Sequence, residues 1–289
     1  MIVRFDGRLG NQIFQYAFFL RLKEMFPNFD VTMDNHDLKK DWIYIADVFE
    51  VNIPICSIRE HNKNIRNIRF LPTRITSKMG YPRFSKDVKK ELEIDGRNIR
   101  TESNNIDENS FFMGYWQSEN HFIEVKDKVL ENLSFKKLED DNNKKMAATI
   151  MSCNSISIHI RRTDYMNAEN KGHFMCLCDT NYYKNAIKHL QNTEIDPVFF
   201  VFSDDIPWCK KYIHSDGFVY VDINHGSDSW KDMYLMSKCK INIVANSSFS
   251  WWGAYLNRNK SVIAPDYIGE HEKYFPDYYP PSWKRIGIH

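Results

Sequence analysis

Residues 155–165 read SISIHIRRTDY, a stretch in which isoleucine alternates with small or polar residues and two arginines then follow with Thr163 and Asp164. The two-residue period is that of a strand, and it puts Ile156, Ile158 and Ile160 on one face and His159 and Arg161 on the other. His159 and Arg161 therefore leave the carboxyl end of the strand together. A guanidinium stays charged in any protein site, and its planar fork of donors matches phosphate oxygens. The same dipeptide would also suit a structural ion network held by Asp164, and alone it weighs evenly between the two.

A second loop shifts that balance. NSSFSWWG, residues 246–253, runs from the apolar strand INIVA through Asn and two serines into a helix. Ser247 or Ser248 suits the N-cap, and the exposed N–H groups of a first helical turn attract anions. Two phosphate-competent loops in one half of the chain point to a shared diphosphate. Beyond the strand VFFVF stand Asp204 and Asp205. A carboxylate there can accept from a ribose hydroxyl or a guanine N–H, or can cap the short helix that follows. No Asp-x-Asp pair is available for Mg²⁺ or Mn²⁺, so the arginines are expected to take the phosphate charge and no metal is expected. GxxxxGK[ST] and GxGxxG are both missing, which argues against an NTPase and a dinucleotide oxidoreductase.

These loops need a parallel scaffold, and the sequence supplies one. In 151–289 short apolar strands (SISIHI, VFFVF, FVYVD, INIVA, SVIA) alternate with helical stretches, the rhythm of a doubly covered parallel sheet. Ligands of such sheets bind beyond the carboxyl ends of the strands, which singles out loops 161–180, 203–206, 223–228 and 246–250. The N-terminal half opens as strand, turn and helix: MIVRF, GRLGN, then Ile13, Phe14, Ala17, Phe18, Leu22 and Met25 at helical spacing up to Pro27. SFFMGYWQSENHF (110–122) reads as a strand feeding a helix or turn. The charged segment 136–147 precedes the expected boundary, giving domains 1–150 and 151–289.

The 289 residues are 43% hydrophobic with a formal net charge of +1, a composition for two folded cores without a global basic field for nucleic acid. Residues 57–90 carry ten Lys/Arg against Glu60 and Asp87; this reads as a solvated face or as a patch meeting an anionic membrane surface or glycan carrier. The six cysteines lack zinc-site spacing and read as thiols of a reducing cytosol. No secretory signal and no run of about 20 apolar residues is seen, so a cytoplasmic protein, peripheral at most on the inner membrane face, is expected.

Taken together, GRLGNQIFQYA, GYWQSENHF, HIRRTDY, FSDD and NSSFSWWGAYL, in that order across residues 7–256, resemble the α1,2-fucosyltransferases of bacterial glycan assembly. The resemblance implies an α/β protein of two Rossmann-like domains facing across a cleft, the B-type glycosyltransferase fold. It implies metal-independent, inverting transfer of L-fucose from GDP-fucose to the 2-hydroxyl of a terminal galactose, on an oligosaccharide or a lipid-linked glycan such as an O-antigen. Arg161 would bind the β-phosphate with Arg162 and His159 beside it, Ser247, Ser248 and Phe249 would form the second phosphate loop, and Asp204 would meet the nucleoside. Asn11, Gln12 and Trp116 would lie on the acceptor side. Asp164, Asp6 and Glu169 are the candidate bases, with Asp164 equally suited to orienting Arg161. Arg8 stands where the family pattern leads one to expect a glycine. Of the other aromatics, Trp251 or Trp252 and the tail YFPDYYPPSWKRI are expected to pack as core. The competing readings are transfer of another nucleotide-linked sugar and a non-catalytic nucleotide-sugar or glycan-binding module.

Overall fold

The structure is a computed structural model that describes residues 1–69, 106–166, 175–215, 217–257, 261–269 and 276–289. Glu169 and the basic stretch beyond residue 69 lie outside the described residues. The chain divides into two compact units, Met1–Lys136 and Lys137–His289.

The first unit holds a parallel sheet of order β2-β1-β3, built from β1 (Ile2–Arg4), β2 (Thr32–Asp34) and β3 (Phe111–Phe112). Its core helix is α1 (Leu9–Met25), in which Ile13, Phe14, Tyr16, Ala17, Phe18, Phe19 and Leu22 are all buried. Apolar residues cover nearly the whole circumference of this helix, so it lies within the core and not on its surface. Gly7 starts the turn between β1 and α1 at φ +83°, where a Cβ would also run into the Asn11 side chain. Two shorter helices, α2 (Ile45–Val48) and α3 (Ile58–Arg69), follow, and α4 (Lys126–Asn132) closes the unit.

The second unit begins with a helix that the sequence reading took for a charged segment before the boundary. Asp140 caps α5 (Asp141–Ser152), accepting from the Asn143 N–H at 2.8 Å, and Asn143, Ala147 and Ile150 form its buried stripe. Only two apolar residues mark that stripe, which is why the polar composition masked it. With α5 packed against β4, the second unit starts at Lys137, ahead of the start at 151 read from the sequence.

Its sheet runs β6-β5-β4-β7-β8-β9, with every pairing parallel: β4 (Asn154–Ile160), β5 (Pro197–Ser203), β6 (Val219–Tyr220), β7 (Ile241–Ile243), β8 (Ser261–Pro265) and β9 (Lys284–Ile286). Counted within the unit, this is the doubly wound order 3-2-1-4-5-6. Helices α6 (Tyr182–Thr193), α7 (Ile206–Tyr212), α8 (Trp230–Met236) and α9 (Ser248–Tyr255) alternate with the strands. The isoleucine face of β4 packs with Tyr182, Tyr183, Leu190, Phe199 and Val201 in one core. Trp251 and Trp252 are both fully buried, and Trp251 Nε1 donates to the Tyr278 carbonyl at 2.7 Å. The tail thus packs as expected, and it also supplies β9, which its Pro-rich composition concealed.

Candidate active site

In a doubly wound sheet the chain turns in opposite directions from the first and fourth strands, opening a crevice beyond their carboxyl ends. Here those strands are β4 and β7, paired through Ile156–Ile241 and Ile158–Ile243. The loop leaving β4 carries Arg161 to Tyr165, and the loop leaving β7 runs to Ser247 at the N-cap of α9. Two contacts join them: the His159 and Phe249 rings lie 5.6 Å apart, and Tyr165 Oη donates to the Asn246 carbonyl at 2.7 Å. Strands far apart in sequence thereby deliver the guanidinium and the serine turn to one place.

Arg161 is held from two sides. Its guanidinium bonds Asp164 Oδ2 at 2.6 Å and approaches Asp204 Oδ2 at 3.3 Å. Burial works against the Arg161 charge, but the two carboxylates outweigh it and raise the pKa above its ordinary value. His159 is 6% exposed; burial, helped by the Arg161 charge, pushes it down to about 4, so the ring is neutral at physiological pH. Its Nδ1 has no hydrogen-bond partner among the described residues.

Arg162 behaves differently. Its guanidinium bonds Asp205 Oδ2 at 2.6 Å and lies 4.9 Å from the Trp208 ring centre, so it is anchored to α7. Asp204, read from the sequence as a nucleoside ligand, faces the β4 loop: it accepts from Arg162 N–H (2.9 Å), Thr163 N–H (3.2 Å) and Thr163 Oγ1 (2.6 Å). Its neighbour Asp205 caps α7 through the Trp208 N–H at 3.1 Å. Ser247 stands at the N-cap of α9 with no side-chain cap bond, while Ser250 Oγ accepts from Ala245 N–H at 2.9 Å.

Sequence reasoning passed over Asp232 on α8. Burial, opposed by a 2.8 Å bond from Asn224 Nδ2, pushes its carboxyl up to about 7. A lone aspartate in a polar loop-to-helix stretch gives no sequence signal of burial.

In the first unit the turn after β1 is a network of neutral amides. Gln12 is fully buried; its amide donates to the Gly7 and Ile43 carbonyls and its oxygen accepts from Ile45 N–H, at 3.0–3.1 Å. It therefore builds the turn and does not face a ligand. Gln15 bonds both the N–H and the carbonyl of Asp6 and the Gly114 carbonyl. The signal was present: two glutamines three residues apart share a helix face beneath a glycine turn. Asn11 Oδ1 accepts from Gln117 Nε2 at 2.7 Å, and Asp6 Oδ2 from Tyr115 Oη at 3.3 Å. Trp116, expected on the acceptor side, is 5% exposed and stacks on Phe18 with ring centres 4.1 Å apart. Its backbone takes φ +43°, which turns the ring into the core.

The profile of "Glycosyl transferase family 11" matches residues 1–286. The chain belongs to this family. Among its relatives, an Escherichia coli "Alpha-1,2-colitosyltransferase" is 40% identical over 190 residues, which cover 61% of this chain and 62% of that protein. The E. coli "O-antigen biosynthesis glycosyltransferase WbnK" is 39% identical over 118 residues, 39% of each chain. The matches to these two thus span less than two thirds of their length. The mouse "Galactoside 2-alpha-L-fucosyltransferase Sec1" is 23% identical across 99% of this chain and 73% of its own. A crystal structure of "NodZ alpha-1,6-fucosyltransferase soaked with GDP-fucose" superposes with a TM-score of 0.55 at 13% identity, covering 92% of this chain and 94% of its own. The family 11 chain therefore has the B-type glycosyltransferase fold expected from its sequence.

Proposed function

We propose that this protein is an inverting α1,2-fucosyltransferase that moves L-fucose from GDP-fucose to the 2-hydroxyl of a terminal galactose. The observation that carries the reading is that the loop leaving β4, which bears Arg161, meets the loop leaving β7 at the switch point, through the His159–Phe249 rings and the Tyr165–Asn246 hydrogen bond. Family membership and relatives named as α1,2-colitosyl- and galactoside fucosyltransferases support it.

On this reading the acceptor hydroxyl attacks the anomeric carbon from the face opposite GDP, and its proton passes to a base. The bond to the β-phosphate oxygen breaks as the new glycosidic bond forms, and negative charge grows on the departing diphosphate. Arg161 and the first-turn N–H groups of α9 receive that charge; each such donor is worth about 3–4 kcal/mol of barrier. Asp164 and Asp204 position Arg161, and Arg162 with Asp205 fixes the loop against α7. His159 offers a neutral ring nitrogen to the nucleotide, and Asp232 supplies a carboxylate on the loop side of α8 for the nucleoside. Asn11 and Asp6 serve the acceptor, and Asp6 or Glu169 takes the proton. The diphosphate is held by side chains and backbone, with no metal required.

The acceptor is a galactose-terminated oligosaccharide or lipid-linked glycan of the O-antigen kind, met in the cytoplasm. Among the described residues no helix is long and apolar enough to cross a membrane. Contact with the inner membrane face falls to the basic stretch 57–90.

The test is turnover of GDP-fucose against a panel of galactosides, with the product linkage determined. An α1,2-linked product is expected; GDP-fucose binding without transfer or hydrolysis would make the protein a binding module. A second reading, transfer of a different nucleotide-linked sugar, is favoured by the name of the 40% identical relative. Competition among GDP, UDP and TDP, followed by a donor panel, separates the two.

A further inference from the structure

One side-chain cluster in the first unit has no part in this chemistry. A carboxylate oxygen of Asp34, a ring nitrogen of His36 and Cys56 Sγ all lie within 4.8 Å of one another. Asp34 is 1% exposed and Cys56 4%, while His36 stands at the surface. We propose that Asp34, His36 and Cys56 form a three-ligand zinc-type cation site between the end of β2 and the segment before α3, with water completing the tetrahedron on the exposed His36 side.

Three features support this assignment. The donor set is mixed oxygen, nitrogen and sulfur, which suits Zn²⁺ and does not suit Mg²⁺ or Ca²⁺. A zinc ion bound at about 2.0–2.3 Å needs its ligand atoms within such a span. The outer contacts are those of a ligand shell. His36 Nε2 lies 3.0 Å from the Cys56 carbonyl, which can only accept, so Nε2 carries the proton and Nδ1 keeps its lone pair. His61 Nδ1 bonds Asp34 Oδ2 at 2.8 Å and its Nε2 lies 3.6 Å from Asp37 Oδ1, so His61 orients the carboxylate from behind. Asp34 Oδ1 accepts from the His36 N–H at 3.1 Å.

The backbone holds these groups without help from an ion. Met33 N–H donates to the Pro54 carbonyl at 2.8 Å and Cys56 N–H to the Met33 carbonyl at 2.9 Å, a parallel bridge beside β2. The helix that follows starts with a reciprocal cap: Ser57 N–H donates to Glu60 Oε2 at 2.8 Å, and Glu60 N–H to Ser57 Oγ at 3.3 Å. The site is therefore preformed, and binding replaces the Cys56 S–H bond with a Zn–S bond, releasing one proton to solvent.

The experiment uses the full chain, reduced and stripped of metal with a chelator. It is titrated with Zn²⁺ against a chromophoric competitor and, separately, with Co²⁺ followed by absorption. One equivalent should bind, with a thiolate-to-cobalt charge-transfer band. Cys56→Ser should remove that band, and His36→Gln, a change at an exposed position whose folding is checked by circular dichroism, should weaken Zn²⁺ at least tenfold. His61→Ala should weaken it about 10–100-fold. Lack of stoichiometric binding by the wild-type chain overturns the proposal, as does binding undiminished in both Cys56→Ser and His36→Gln. None of these readings depends on transferase activity, so they stand apart from the test of the proposed reaction.

Discussion

The turn after β4 and the turn after β1 occupy equivalent places, each leaving a parallel strand at its carboxyl end, yet they are built from opposite chemistry. Residues 161–164 hold two guanidiniums against three carboxylates at 2.6–3.3 Å. Residues 6–12 are held by the neutral amides of Gln12 and Gln15. The first is a charged turn whose arginines are fixed by ion pairs in a partly buried place. The second is a turn whose backbone is fixed by neutral side-chain amides. The contrast also separates the two arginines: Arg161 is braced by Asp164 and Asp204, whereas Arg162 is fastened to Trp208 and Asp205.

The largest expected effect tests the charged turn. Arg161→Ala should lower turnover of GDP-fucose by about 10²–10³-fold in steady-state kinetics, with Arg161→Lys recovering part; activity near wild type would break the assignment of the turn. Next comes the amide turn. Gln12→Ala leaves the Gly7 and Ile43 carbonyls and the Ile45 N–H without their partner in a fully buried place. A loss of about 3 kcal/mol in denaturant unfolding is expected, and a change confined to acceptor KM would show that Gln12 faces a ligand after all.

A third prediction uses pH. Buried His159 sits near 4 instead of 6.5, so its contribution to stability is present above pH 6.5 and is lost as pH falls toward 4. Asp232 sits near 7 instead of 3.8, so its contribution is present at low pH and is lost as pH rises from about 4 to 7. The two slopes oppose each other. Relative to wild type, Asp232→Asn should gain stability as pH rises across that window, and His159→Asn should lose it. Parallel unfolding curves at pH 4.5 and 7 for either variant would contradict the burial that causes the shift. The smallest effect belongs to Arg162→Ala: about 1 kcal/mol of stability from the lost ring and ion contacts, with turnover within a few-fold of wild type. A fall as large as that of Arg161→Ala would merge the two arginines into one role.

Much of the second unit was legible because its strands are short apolar runs between helices, and parity alone separated His159 and Arg161 from the isoleucines. The first unit was harder to read. Its strands are only two or three residues long, and α1 is apolar on nearly every side, which blurs any face. The tail strand β9 was hidden by prolines, and α5 by its charges.

The sequence by itself determined the alternation of strands and helices, the paired arginines at a strand end, the serine turn before a buried helix and the lack of an Asp-x-Asp pair. These are local facts, set by side-chain period and residue chemistry. Only the tertiary structure decided that β4 lies beside β7, that Asp204 turns toward Thr163, that Trp116 faces Phe18, and that Asp34, His36 and Cys56 meet. Each of these joins residues distant in the chain or turns on a backbone angle, and strand order and burial, which no local spacing encodes, settle them.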